Sequence, residues 1–138
     1  MFKNCLNLTT VPQLDTSNVI DMSSMFESCS SLNTIPLLNT SKVITMKNMF
    51  YYCDKLTTIP QFDTSNVTNM SHMFYYCRDV NNIPLLNTSN VITMENMFDS
   101  CYALTTIPQF DTSSVTNMGH MFYHCDKLTT INFADVDT

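Results

Sequence analysis

Cysteine recurs in this chain at a fixed interval of 24 residues, at Cys5, Cys29, Cys53, Cys77, Cys101 and Cys125. The pairs Met1-Phe2, Met25-Phe26, Met49-Phe50, Met73-Phe74, Met97-Phe98 and Met121-Phe122 keep the same step, as do Val11, Ile35, Ile59, Ile83, Ile107 and Ile131. The consensus M-F-x-x-C-x-x-[LV]-x-x-[IV]-P-x-[LF]-[DN]-T-S-x-V-x-x-M-x-x runs through nearly all of the 138 residues without a gap. A period of this length is the mark of a repeat architecture, in which no unit buries its own apolar face and a stack of units makes the core. Each inward residue then meets a copy of itself above and below. Units also alternate between PQFDTSNVTNM and PLLNTSNVITM, so the larger repeat is 48 residues and points to duplication of a two-unit block.

Within one unit, Met70, Met73, Phe74 and Cys77 fall at i, i+3, i+4 and i+7. That spacing predicts one face of a helix over roughly 70–77. Asn69 precedes it, with Asp21, Thr45, Thr93 and Asn117 at the equivalent places, all good N-caps. Two turns are too short to stand alone and need neighbouring units. After Cys77 the apolar spacing becomes three, through Val80, Ile83 and Leu86. Segments such as LTTI suit a strand, and Pro60 after Ile59 should end or edge it. Asp-Thr-Ser or Asn-Thr-Ser supplies a turn, and the following Asn-Val-Thr a second extended piece. These elements predict an α/β solenoid: a right-handed, leucine-rich-repeat-like stack of about six 24-residue coils, each with a short strand and a short helix. The coils start near 1, 25, 49, 73, 97 and 121 and form a single repeat domain over 1–138. At about 4.8 Å per coil the stack stands roughly 30 Å tall.

Composition narrows the function classes. The chain is 44% hydrophobic and 13% charged, which excludes a disordered segment. A net charge of −6 leaves no basic patch for nucleic acid and no cationic face for an anionic membrane. No apolar run approaches the roughly 18 residues of a membrane helix, so no membrane insertion is expected. With one Gly in the chain, Asn, Asp and Ser must make the turns. The sequence holds no Gly-rich phosphate loop, H-E-x-x-H or G-x-S-x-G, so no catalytic residue and no cofactor is assigned.

The ladders of like residues each have a structural reading. The eleven methionines lie beside Phe at helical spacing and belong to the core rather than to a soft-metal site. Stacked cysteines present parallel Cβ vectors, unsuited to disulfides, and read as buried free thiols. The alternation Asp15, Asn39, Asp63, Asn87, Asp111 keeps like charges two coils apart and reads as a turn ladder, not a calcium row. His120 and His124 stand i, i+4 on the predicted helix but lack a third ligand, so no metal is assigned. The outward pairs at 9-10, 33-34, 57-58, 81-82, 105-106 and 129-130 are mostly Thr, and an ice-binding ladder is the weakest functional alternative. Tyr51, Tyr52, Tyr75, Tyr76 and Tyr123 differ, because Glu27, Ser28, Asp99 and Ser100 fill the same positions in other coils. The core does not dictate an aromatic there, so these tyrosines read either as plain helix-surface packing between coils or as the candidate partner-binding residues.

The string MFYYCDKL, with its variants MFESCSSL, MFYYCRDV, MFDSCYAL and MFYHCDKL, followed by D-T-S-N-V-T-N-M, resembles the BspA-like leucine-rich-repeat surface proteins, in the branch found in mycoplasma-type lipoproteins. The resemblance implies a non-enzymatic, adhesin-like binding scaffold at the cell surface or outside the cell, carried there by parts of the protein not present in this sequence. It implies a protein partner such as a host matrix or plasma protein, and it transfers no site residue. A structural alternative is a decoration or spacer of a phage or virus particle or a surface layer, with end-to-end self-association. Met1 matches the repeat's own Met, and Asp137-Thr138 fall two residues later than the 24-residue step predicts. The expectation is a segment of a longer array.

Overall fold

Hydrogen bonds between equivalent backbone positions tie each coil to the next. The structure is a computed structural model and describes residues 1–134. Along Met46–Cys53, the N–H groups of Met46, Asn48, Phe50 and Tyr52 donate to the carbonyls of Asn69, Ser71, Met73 and Tyr75 at 2.9–3.0 Å. The intervening N–H groups of Met49, Tyr51 and Cys53 stay within the coil and donate to the carbonyls of Met46, Asn48 and Phe50 at 3.1 Å. The Lys47 N–H donates to the Thr45 side-chain oxygen at 3.4 Å, so every backbone donor of the segment has a partner, from Met46 onward mostly in alternation across and within coils.

This replaces the helix expected at 70–77. No helix forms among the described residues; the Met-x-x-Met-Phe-x-x-Cys segment is a run of tight turns. Two residues per coil take left-handed φ to make them, Asn48 (56°) and Tyr52 (58°) in one coil and His72 (55°) and Tyr76 (60°) in the next. Each is the third residue of a four-residue turn, where a positive φ is required in type II geometry. The physical reason is spacing. Helix axes pack about 8–10 Å apart, whereas backbone-bonded coils lie about 4.8 Å apart, so helices cannot stack at this interval. The expected caps keep their chemistry on a different element. Asp21 Oδ1 accepts the Ser23 N–H at 2.7 Å, Asn69 Oδ1 that of Ser71 at 2.9 Å, and Asn117 Oδ1 that of Gly119 at 3.0 Å.

The other sides of the coil are extended. On one, Ile44, Thr68, Ile92 and Thr116 donate to the equivalent carbonyl of the preceding coil at 2.8 Å, beside a column of parallel bridges through Asp21, Thr45, Asn69, Thr93 and Asn117. On the LTTI side, two successive exposed residues separate the inward ones, which breaks the period of two that a strand needs. Few N–H groups cross there: those of Asn33, Thr57, Thr105 and Thr129 donate to the carbonyls of Thr9, Asn33, Asn81 and Thr105 at 3.1–3.4 Å. Among the described residues, regular strand is confined to β1 (Phe110–Asp111) and β2 (Phe133–Ala134), which pair in parallel with Phe110 opposite Phe133. That pairing comes one residue before the 24-residue step, in the coil that lacks Pro after Ile131. Asp137-Thr138, on which the expected late register rested, lie outside the described residues.

Inside, the columns are as continuous as the period demands. Phe26, Phe50, Phe74 and Phe98 are fully buried and stacked, with successive ring centroids 5.5–5.6 Å apart. Buried Met, Leu, Ile and Val columns flank them. Cys29, Cys53, Cys77 and Cys101 are buried free thiols, and each Sγ donates to the carbonyl of a Phe in the preceding coil at 3.0–3.1 Å. Burial pushes these thiols upward in pKa. At the turn, Thr16, Thr40, Thr64 and Thr88 point inward and donate to the next coil's Asx carbonyl at 2.8 Å. The neighbouring Asp or Asn points outward and accepts from the Ser two residues on.

Candidate aromatic edge

The run of tight turns places two columns side by side outside the Phe core, with Asp99 and Ser100 buried and the other members half-buried or exposed. One holds Lys3, Glu27, Tyr51, Tyr75, Asp99 and Tyr123; the other holds Asn4, Ser28, Tyr52, Tyr76, Ser100 and His124. Residues of the second column all have left-handed φ, between 54° and 64°. Asn and Ser are ordinary there, whereas Tyr is an uncommon choice for such a backbone. The core does not require it, because the rings lie outside the Phe column.

Stacking follows from the ladder. Tyr51 and Tyr75 lie with centroids 4.8 Å apart and planes 12° from parallel. Tyr52 and Tyr76 repeat this at 4.6 Å and 23°. The two stacks touch through Tyr51 and Tyr52 at 4.8 Å. Because ring faces turn toward neighbouring coils, edges and hydroxyls are what the surface offers. No tyrosine hydroxyl has a hydrogen-bond partner among the described residues, and none is a buried orphan. Burial raises the Tyr51 and Tyr75 hydroxyls in pKa, so both stay protonated donors at neutral pH.

Five residues outside the expected set extend the edge. The Arg78 guanidinium lies 5.6 Å from the Tyr76 centroid and 5.4 Å from that of Tyr102, a double cation–π contact. Tyr102 meets Tyr76 edge-on at 6.1 Å and His124 at 6.4 Å. Tyr123 then contacts His124 at 4.1 Å and His120 at 5.8 Å. His72 sits against Tyr51 and Tyr75 at 6.2 and 5.7 Å. The expected residues are thus brought into one edge, but unequally. Tyr52 and Tyr123 are 37% and 55% exposed, while Tyr51, Tyr75 and Tyr76 are half-buried. The missed pair was readable: Arg78 and Tyr102 occupy the same coil position 24 residues apart, so the ladder puts them in contact. His120 and His124 are not on a helix, so the i, i+4 geometry that would have clipped a metal does not exist.

Polar strain gathers on the same edge. The three buried side-chain atoms without a partner among the described residues are Glu27 Oε2, Asp54 Oδ1 and His72 Nδ1. Glu27 precedes Tyr51 in its column and Asp54 precedes Arg78 in its own; His72 lies between the tyrosines. Burial lowers the His72 pKa, against the pull of Glu95, so the ring is neutral at pH 7. Burial likewise raises Asp54. Unpaired buried polar atoms are few in native proteins and gather at sites kept for something other than stability.

Comparison with known proteins agrees with this architecture. A family model described as "Mycoplasma protein of unknown function, DUF285" matches residues 1–105 and 55–138. A leucine-rich-repeat protein of T. pallidum is similar in structure, with TM-score 0.65 and 24% identity over 86% of this chain and 55% of that one. A leucine-rich cell surface protein of Faecalibacterium prausnitzii gives TM-score 0.57 and 25% identity over 95% of this chain and 41% of that one. A leucine-rich-repeat protein of Bacteroides ovatus gives 0.55 and 18%, over 96% and 39%. The chain therefore spans about half or less of the length of these proteins. No curated protein matches it in sequence. The fold is that of leucine-rich-repeat proteins, in keeping with the BspA-like resemblance. No helix among the described residues is long and apolar enough to cross a membrane.

Proposed function

The chain belongs to the DUF285 family of Mycoplasma proteins, and from its leucine-rich-repeat stack we propose that it is a non-enzymatic protein-binding scaffold of a surface-exposed or secreted adhesin-like protein, engaging its partner through the tyrosine edge. One observation carries the reading. Aromatic side chains are in contact from Tyr51 to Tyr76 and then, past Asp99 and Ser100, through Tyr102 to His124 and Tyr123, at positions where other coils carry Glu27, Ser28, Ser30 and Asp54, so the edge is surplus to the core. Tyr and Arg are the residue types enriched at the energetic centres of protein interfaces. Rings already stacked on one another lose little freedom on binding, which favours affinity.

The test uses the replacement that the chain itself supplies. Ser28 and Ser100 stand where Tyr52 and Tyr76 do. The double variant Tyr52→Ser, Tyr76→Ser should therefore keep the fold, checked by circular dichroism. Surface plasmon resonance against immobilised matrix and plasma proteins should show saturable binding of the native chain to at least one. The double variant should bind about tenfold or more weakly. No saturable binding, or binding indifferent to both substitutions, would remove the tyrosine edge from the account.

A further inference from the structure

We propose that a second surface, the groove along the Asx turns, binds an extended peptide in polyproline II conformation that carries a cation at every third residue. The proposal shares with the tyrosine reading only the premise of a protein partner, and its surface is separate.

The groove follows from alternation at the turn. Gln or Leu points outward, the next residue inward, Asp or Asn outward, and Thr inward. Two outward rims therefore run along the stack with a channel between them. It is seen as two cavities of about 540 Å³ each, one spanning Asp15 to Asp63 and the other Asp63 to Asp111, which share Gln61. Together they make a trough across five coils. One rim carries carboxylates at Asp15, Asp63 and Asp111; the other carries Leu37 and Leu85, 61% and 62% exposed, in the coils between.

Charge and spacing select the occupant. The two ion pairs among the described residues, Lys3–Glu27 and Lys55–Asp79, lie elsewhere, so these three carboxylates face solvent uncompensated. Hydrogen bonds from the Ser17, Ser65 and Ser113 side chains and N–H groups hold the carboxyls below their ordinary range, so all are ionised at neutral pH. Coils about 4.8 Å apart put the charges about 10 Å apart, with exposed Leu midway. Polyproline II advances about 3.1 Å per residue and returns to the same face every third residue, about 9.3 Å on. A β-strand returns to one face after about 6.7 Å, and so does not match. Seven residues of polyproline II span the roughly 19 Å from Asp15 to Asp111. They set cations at positions 1, 4 and 7 over the carboxylates and prolines over the leucines.

The chain provides an isosteric control. Asn39 and Asn87 occupy the same turn and accept the same two Ser hydrogen bonds as Asp63 does, so Asp→Asn removes charge and keeps the turn. The experiment measures binding of two fluorescein-labelled peptides of identical composition, RPPRPPR and PRPRPRP, by anisotropy at low salt. The native chain should bind RPPRPPR at least fivefold more tightly. Each single Asp→Asn change should weaken it about two- to fivefold, as for an exposed ion pair. The triple variant Asp15→Asn, Asp63→Asn, Asp111→Asn should lose the preference. The Tyr52→Ser, Tyr76→Ser variant should keep it, separating this surface from the tyrosine edge. Equal affinity for the two peptides, a preference surviving in the triple variant, or binding of neither peptide would overturn the proposal.

Discussion

Phe74→Ala should destabilise the chain by about 3–5 kcal/mol, at the upper end of large-to-small core changes. Phe74 is fully buried, with Phe50 and Phe98 stacked on either side at 5.6 Å, their planes within 9° and 6°. The cost depends on whether the cavity can collapse. Here it cannot do so readily, because the Phe74 N–H donates to Met97 O and the Phe50 N–H to Met73 O, both at 2.9 Å, fixing the distance between coils. A loss of this size is a large fraction of the roughly 5–15 kcal/mol that holds a domain folded. Urea unfolding should show a lowered midpoint. Phe122→Ala, at a half-buried ring in the sixth coil, should cost distinctly less. Equal costs would mean that the Phe column is not a continuous stack.

Thiol labelling should separate the six cysteines by more than about a thousandfold in rate. Cys5 is exposed and should react at once. Cys29, Cys53, Cys77 and Cys101 are buried and should react only when the stack opens. Two features of the column act together. Burial raises each thiol's pKa and so suppresses the reactive thiolate, and each Sγ already donates to a Phe carbonyl of the preceding coil. Cys125, half-buried and pushed up to about 11, should fall between. In denaturant all six should react alike. Rapid native labelling of Cys77 would show that the coils separate far more easily than this packing allows.

Much of the fold was legible because a ladder states its own contacts. Once Cys53 and Cys77 are 24 apart, their neighbours across the coil boundary follow, and so do the stacks Tyr51–Tyr75 and Tyr52–Tyr76. The same logic foretold the outward Thr and Asn pairs, all exposed from Thr9 to Thr130. The helix was misread because side-chain spacing cannot distinguish an α-helix from linked tight turns. Both put Met70, Met73, Phe74 and Cys77 inward. What differs is the destination of the backbone N–H groups, and nothing in apolar spacing records that. A weaker signal was present: Ser24, Asn48, His72, Asn96 and His120 share one coil position, and Asn and His are among the residues enriched at left-handed φ. The edge was half legible for a similar reason. Following the Met-Phe motif found the tyrosines next to Phe, whereas Arg78 and Tyr102 lie beyond Cys and belong to a column with no consensus.

Backbone hydrogen bonds exchanged between coils hold this stack together, and NMR scalar couplings across hydrogen bonds observe that exchange directly. The Phe50 amide nitrogen should couple to the Met73 carbonyl carbon, and the Tyr52 nitrogen to that of Tyr75. A coupling from Phe50 to the Met46 carbonyl instead, the i to i−4 bond of an α-helix, would contradict the stacked-turn architecture and the aromatic edge built on it.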